Sequence, residues 1–213
     1  MSKLERVIYT SFDDNTPHWK NVEESVRDWA KRCDAELVNL PKPVGYQPQW
    51  VIFDAFKDSV ERNVQAAWID CDILVQRSAP NIFDAIPDHF YFCQPDPARR
   101  IHPRMKRNWR RYGLTNPRPY LVSALAMWSP RHVHGMIEWF DKEWRRFHRK
   151  DGDQELLTVA VFETETHCAF FPDQWHKMSK WIGKKTPFMH AAGKRKGRKL
   201  RRFKAIENRE GGG

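Results

Sequence analysis

Hydrophobic positions along the chain switch between two periods. RVIYTSF (Arg6 to Phe12) is a β-branched and aromatic run ending in small polar residues, the pattern of a buried strand followed by a ligand-facing loop. Asn15, Thr16 and Pro17 then make a helix start, and Val22, Val26, Trp29, Ala30 and Cys33 recur at helical spacing through a charged segment. AELVNL reads as a second strand. After the turn-rich PKPVGYQPQ, the ladder Ile52, Phe56, Val60 and Val64, joined by Ala55 and Ser59, predicts another amphipathic helix. It delivers the chain to AAWIDCDILV, a third β segment. The order β-α-β-α-β is that of an α/β protein with a largely parallel sheet.

Further along, HFYFCQ predicts a strand and PDPARRIHPRMKRNWRRYG a long, basic, proline-punctuated surface excursion. PYLVSALAMWSP reads as one strand passing through Ser123 and Ala124. Val133, Met136, Ile137, Phe140, Trp144 and Phe147 mark a helix whose far face carries Lys142, Arg145, Arg146 and Arg149. DGDQELLTVAVFE has an acidic start and then Leu156, Leu157, Ala160 and Val161 at helical spacing, so Asp153 falls at or near a helix N-terminus. CAFFPDQW is a short strand running into a turn.

Composition narrows the class. The 213 residues, 40% hydrophobic, suit one domain with a tail. A mean hydropathy of −0.77, no apolar run near the ~20 residues that span a bilayer and an N-terminus without a signal layout predict a cytoplasmic protein. Cys33, Cys71, Cys93 and Cys168 are scattered without a C-x-x-C pair and are expected to be reduced thiols, mostly buried. The formal charge of +10 attracts polyanions, whether nucleic acid, an anionic membrane or a nucleotide.

The chemistry centres on Asp70 and Asp72. Ligands of parallel α/β sheets bind beyond the carboxyl ends of the strands, where this pair lies if the third strand stops near it. Alternate carboxylates can converge on Mg²⁺ or Mn²⁺ when the backbone turns, although the same tripeptide also occurs as a solvated strand end. A haloacid-dehalogenase-like phosphatase also places Asp-x-Asp after a strand. That arrangement belongs on a first strand with a Gly-Thr-like turn after it, whereas here about 65 residues precede the motif, ILV follows it and no later Asp-Asp pair occurs.

AAWIDCDILVQRSAPNIFD resembles the central segment of GT-A-fold glycosyltransferases, especially the glycogenin and lipopolysaccharide galactosyltransferase (family 8) type. PYLVSALAMWSP is similar to that family's "yfNsGvmvfs" strand, without its Asn and Gly. DGDQELL resembles its "gDQdllN" block, and PFMHAAGKRKG its "iiHfaGxxKPW" block. In the last, His190, Gly193 and Lys196 keep the H-x-x-G-x-x-K spacing, while Gly197 replaces the Pro and the Trp is absent. The four motifs occur in the family's order between Arg6 and Lys196.

The resemblance implies a single Rossmann-like GT-A domain over residues 1–196, with a mixed, mainly parallel sheet flanked by helices, and a basic tail over 197–213 that is partly disordered. It implies Mn²⁺ or Mg²⁺ held by Asp70, Asp72 and His190, with Asp70 also near the donor ribose. It implies a nucleoside-diphosphate sugar donor, with UDP as its nucleotide. Thr10, Ser11 and Phe12 would receive base and ribose, and Gly193, Lys194 and Lys196 the diphosphate. Asp153 and Gln154 would face the reacting sugar as the catalytic pair, unless Asp153 merely caps its helix.

For the acceptor, RRIHPRMKRNWRRYG, KEWRRFHRK and KRKGRKLRRFK mix basic and aromatic residues, with eight basic residues among the eleven from Lys194 to Lys204. Phosphate contacts with base stacking would suit DNA carrying hydroxymethylated pyrimidines, in a phage-infected host cytoplasm if the protein is viral. A glycosyltransferase of envelope glycan or lipopolysaccharide synthesis on an anionic membrane would use the same charge, as would a non-catalytic nucleic-acid-binding module. On any of these readings Trp109, Trp128, Trp139 and Trp144 stack on an acceptor or belong to the core. No protein partner is implied.

Overall fold

The computed structural model describes residues 4–12, 19–42, 44–45, 47–92, 95–96, 110, 112–113, 120–147, 152–178, 186–191 and 199. The expected β-α-β-α-β opening is present as β1 (Arg6–Thr10), α1 (Trp19–Arg32), β2 (Glu36–Asn39), α2 (Ile52–Glu61) and β3 (Gln65–Ile69). The helix α2 stops three residues short of Val64, which is buried on the approach to β3. The proposed helix start at Asn15, Thr16 and Pro17 lies outside the described residues, as does Cys93.

Beyond β3 come β4 (Ile73–Val75), α3 (Ile82–Ala85), β5 (Tyr91–Phe92), β6 (Pro95–Asp96), β7 (Tyr120–Leu121) and β8 (Leu125–Trp128). The chain continues through α4 (His134–Glu143), α5 (Asp153–Glu163), β9 (Ala169–Phe170), β10 (His176–Met178) and β11 (Phe188–His190). The central sheet has the order β2-β1-β3-β8-β5-β9. Its strands β2, β1 and β3 are mutually parallel, as are β5 and β9, and β8 runs antiparallel to both β3 and β5.

Both faces of this sheet are covered, which explains why its central strands read as continuous apolar runs. Val7, Tyr9, Ala66, Trp68, Ala126 and Trp128 pack on one face with Phe53 and Phe56 of α2, Met136 and Phe140 of α4, and Leu156 and Leu157 of α5. The intervening Ile8, Ala67, Ile69, Leu125 and Met127 pack on the other with Val22, Val26 and Trp29 of α1, Ile82 of α3 and Phe188 of β11. α5 is sandwiched closely enough that Leu156 through Val161 are all buried, so its apolar residues surround the helix instead of forming a stripe.

Two expectations change. PYLVSALAMWSP is not one strand: β7 pairs with β6, β8 joins the central sheet, and a turn at Ser123–Ala124 separates them. Mostly buried cysteines are also not found among the described residues, where Cys33 is buried but Cys71 and Cys168 are only half-buried; none of the three forms a disulfide. Trp128 and Trp139 are core residues and so are not stacking platforms, and Trp144 is half-buried against the same core; Trp109 is outside the described residues. No described helix is long and apolar enough to cross a membrane.

Candidate metal and sugar-nucleotide site

β3 ends at Ile69, and the next three residues turn the chain out of the central sheet. Asp70 O accepts from Ile73 N at 3.1 Å, closing a turn over Cys71 and Asp72, after which β4 enters a second sheet of order β10-β11-β4. β4 is fastened to α1 by Val75 N donating to Ser25 Oγ at 3.1 Å. β4 and β11 are antiparallel with His190 opposite Ile73, and Ala191 N donates to Asp72 O at 2.9 Å. This register brings His190 beside Asp72, although 118 positions separate them in the chain.

The three side chains meet. One ligand atom from each of Asp70, Asp72 and His190 falls within 4.8 Å of the others, with Asp72 and His190 buried and Asp70 half-buried. His190 Nε2 is 3.2 Å from Asp72 Oδ1, and Asp70 Oδ1 accepts from the indole Nε1 of Trp68 at 2.9 Å. Two carboxylates and an imidazole form a donor set that suits Mn²⁺ or Mg²⁺, and the accumulated negative charge favours a dication. The sequence expectation for this triad therefore has the side-chain convergence it requires.

Asp153 is the first residue of α5, but its carboxylate is not the helix cap. The N-cap is Gly152, whose N–H donates to Glu155 Oε2 at 3.0 Å. Asp153 Oδ2 instead accepts from the Ser123 hydroxyl. Ser123 sits in the β7–β8 turn, where Ala124 O accepts from Asp70 N at 2.9 Å, so one turn joins Asp153 to the acidic pair. Burial and then the charge of Asp70 push the Asp153 carboxyl up to about 7, against the Ser123 hydroxyl and the Gln154 backbone N–H, which stabilise the ionised form. Gln154 is half-buried beside it.

Thr10, Ser11 and Phe12 come at the carboxyl end of β1, the parallel neighbour of β3, and so share the sheet edge that carries Asp70. Thr10 is buried, and its hydroxyl has no hydrogen-bond partner among the described residues. Phe12 N donates to Asn39 Oδ1 at 2.8 Å, fixing the loop to the end of β2. Gly193, Lys194 and Lys196 lie outside the described residues, as do most of the three basic clusters. Sequence reasoning missed Trp68, Ser123 and His176, whose Nε2 is 3.2 Å from His190 Nδ1. No local pattern marks them: Ser123 and His176 act through partners distant in sequence, and Trp68, which reaches Asp70 two residues on, reads as an ordinary apolar strand residue.

This architecture is the GT-A fold of glycosyltransferase domains. At 10% identity it is similar to a glycosyltransferase involved in glycosylation of the major capsid of the virus PBCV-1, with a TM-score of 0.66 over 94% of this chain and 99% of that one. It is similar to galactosyltransferase LgtC, solved with donor and acceptor sugar analogues, at 13% identity and a TM-score of 0.57 over 95% of each chain. A Drosophila β1,4-galactosyltransferase 7 complex with manganese, UDP-Gal and xylobiose gives 11% identity and a TM-score of 0.51 over 89% of this chain and 71% of that one. No protein-family model and no curated protein sequence matches the chain.

Proposed function

We propose that this chain is a metal-dependent glycosyltransferase that moves a sugar from a nucleoside-diphosphate sugar, with UDP as its nucleotide, to an acceptor hydroxyl. The observation that carries the reading is the convergence of Asp70, Asp72 and His190 within 4.8 Å at the carboxyl end of a central strand of a GT-A fold. These three residues would hold Mn²⁺ or Mg²⁺, which when bound neutralises charge on the departing diphosphate. Thr10, Ser11 and Phe12 bind the base and ribose, and the diphosphate is assigned to Gly193, Lys194 and Lys196 from the sequence alone. Asp153 and Gln154 face the reacting sugar. A carboxyl pushed up to about 7 can hold or release a proton near neutrality, which fits a group that responds to charge developing beside it.

The acceptor we propose is a hydroxymethylated pyrimidine in DNA, supported by the formal charge of +10. Stacking by Trp128 and Trp139 does not support it, since both are core residues.

The test incubates the full chain with a panel of sugar nucleotides and Mn²⁺, with and without hydroxymethylated DNA, and reads nucleotide release and DNA mass. Release of nucleoside diphosphate that falls at least about 100-fold in Asp72→Ala supports the enzyme. No hydrolysis, transfer or thermal protection by any donor refutes it. Donor hydrolysis without a DNA mass shift refutes only the DNA acceptor, and salt-sensitive DNA binding indifferent to chelator and to Asp72→Ala, without turnover, assigns the fold to a non-catalytic binder.

A further inference from the structure

The imidazole of His190 has two nitrogens and the fold addresses both. Nε2 faces Asp72 Oδ1 at 3.2 Å, and Nδ1 is 3.2 Å from Nε2 of His176, with ring centroids 5.2 Å apart and planes at 45°. His176 is fully buried in β10, which pairs in parallel with β11 so that His176 lies opposite Phe188, two residues before His190. The dyad is thus set by the β10–β11 register, while the β11–β4 register delivers the same His190 to Asp72.

We infer that His176 is a positioning residue for the metal ligand: it accepts the Nδ1 proton of His190 and thereby fixes the ring with its Nε2 lone pair directed at the Asp70–Asp72 pair. This rests on the metal-site reading above. A ligating imidazole must carry its proton on the other nitrogen, and what that nitrogen bonds to decides the tautomer and the ring plane. The partner here is a second imidazole. A carboxylate in its place would orient His190 equally well but add a further negative charge to a site that already gathers Asp70, Asp72 and Asp153. His176, fully buried and 3.2 Å from the His190 ring, supplies the acceptor without that charge.

The experiment titrates Mn²⁺ into the full chain in the presence of UDP and follows unbound Mn²⁺ by electron paramagnetic resonance. His176→Leu removes the acceptor and is expected to weaken Mn²⁺ by about 10–100-fold, whereas His176→Gln, whose amide oxygen accepts the same proton, retains affinity within about threefold of the original. With Mg²⁺ and UDP, ¹⁵N shifts of the unaltered protein should show His190 protonated at Nδ1, a readout that requires no variant to fold. Unweakened Mn²⁺ binding in His176→Leu, equal weakening in the Gln and Leu variants, or an unprotonated Nδ1 overturns the inference. If Mn²⁺ also fails to bind the unaltered protein, or binds His190→Ala as well as the original, the metal-site reading itself fails. Binding that His190→Ala abolishes and His176→Leu leaves intact sinks only the role of His176.

Discussion

Replacing Asp153 with Asn should make the metal-free protein more stable at neutral pH, and the gain should vanish in acid. Burial and the charge of Asp70 raise this carboxyl from 3.8 to about 7. Between those values the folded chain keeps a proton that the unfolded chain has released, so stability falls as pH rises through the window. At about 1.4 kcal/mol per pH unit the full effect is about 4 kcal/mol, and solvent at the half-buried carboxyl trims it to about 2–4 kcal/mol. The amide introduced by Asp153→Asn would retain an oxygen to accept from Ser123 but carry no charge. His176 imposes an opposite slope: with its pKa pushed down to about 3, it refuses in the folded state a proton that the unfolded chain takes below about 6.5, so stability is lost toward acid. The informative quantity is therefore the difference between the two proteins. Urea denaturation in chelator at half-unit steps from pH 4 to 7.5 should show the advantage of Asp153→Asn growing from near zero to about 2–4 kcal/mol. Parallel profiles would refute the electrostatic account of Asp153.

Two other substitutions probe supports of the same edge. Trp68→Phe deletes the indole N–H that reaches Asp70 Oδ1 at 2.9 Å while keeping an aromatic ring in the core, and should weaken Mn²⁺ by about tenfold in the paramagnetic resonance titration; unchanged affinity would show that the indole does not orient the carboxylate. Tyr9→Phe deletes a buried hydroxyl that donates to Asp58 Oδ2 at 2.5 Å and joins β1 to α2. It should cost about 1.5–3 kcal/mol in urea denaturation, and a loss below about 0.5 kcal/mol would mean that Arg62, 3.6 Å from the same carboxylate, already satisfies it.

The elements legible in the sequence are those whose burial pattern is local. β1, α1, α2 and β3 declare themselves because strands buried on both faces are continuously apolar and helices on a sheet carry one apolar stripe, and the edge strand β2 shows only through its short apolar pair, Leu37 and Val38. The breaks within β-prone runs are not legible in the same way. ILV after Asp72 has the composition of a continuing strand, and only its pairing with Phe188–His190 places it in another sheet. Ser123 and Ala124 offer no proline or glycine to announce a turn, and the turn exists because β7 and β8 belong to different sheets. Asp153 has the sequence position of a helix cap, yet Gly152 takes that place and leaves the carboxylate to Ser123. The acidic pair and His190 are legible as candidates through motif order, whereas His176 and Ser123 are not, since each is defined by a partner that non-local pairing supplies, and Trp68, only two residues from Asp70, reads as one more apolar residue of β3.

The charge of the site follows from the same placements. Asp70, Asp72 and Asp153 gather around one sheet edge, and His176, which touches the third ligand His190, is kept neutral by burial. Without a cation, the folded chain answers this concentration of carboxylates by holding Asp153 protonated across the acid range, at a cost in stability that accumulates from about pH 4 and is nearly complete by about pH 7. A dication between Asp70, Asp72 and His190 would draw off the repulsion from Asp70 and let Asp153 ionise more readily. The stability difference between Asp153→Asn and the unaltered protein should therefore narrow when Mn²⁺ is added and stay fixed in Asp72→Ala. Occupancy of the metal site and the proton on Asp153 would then be linked properties of one edge of the sheet.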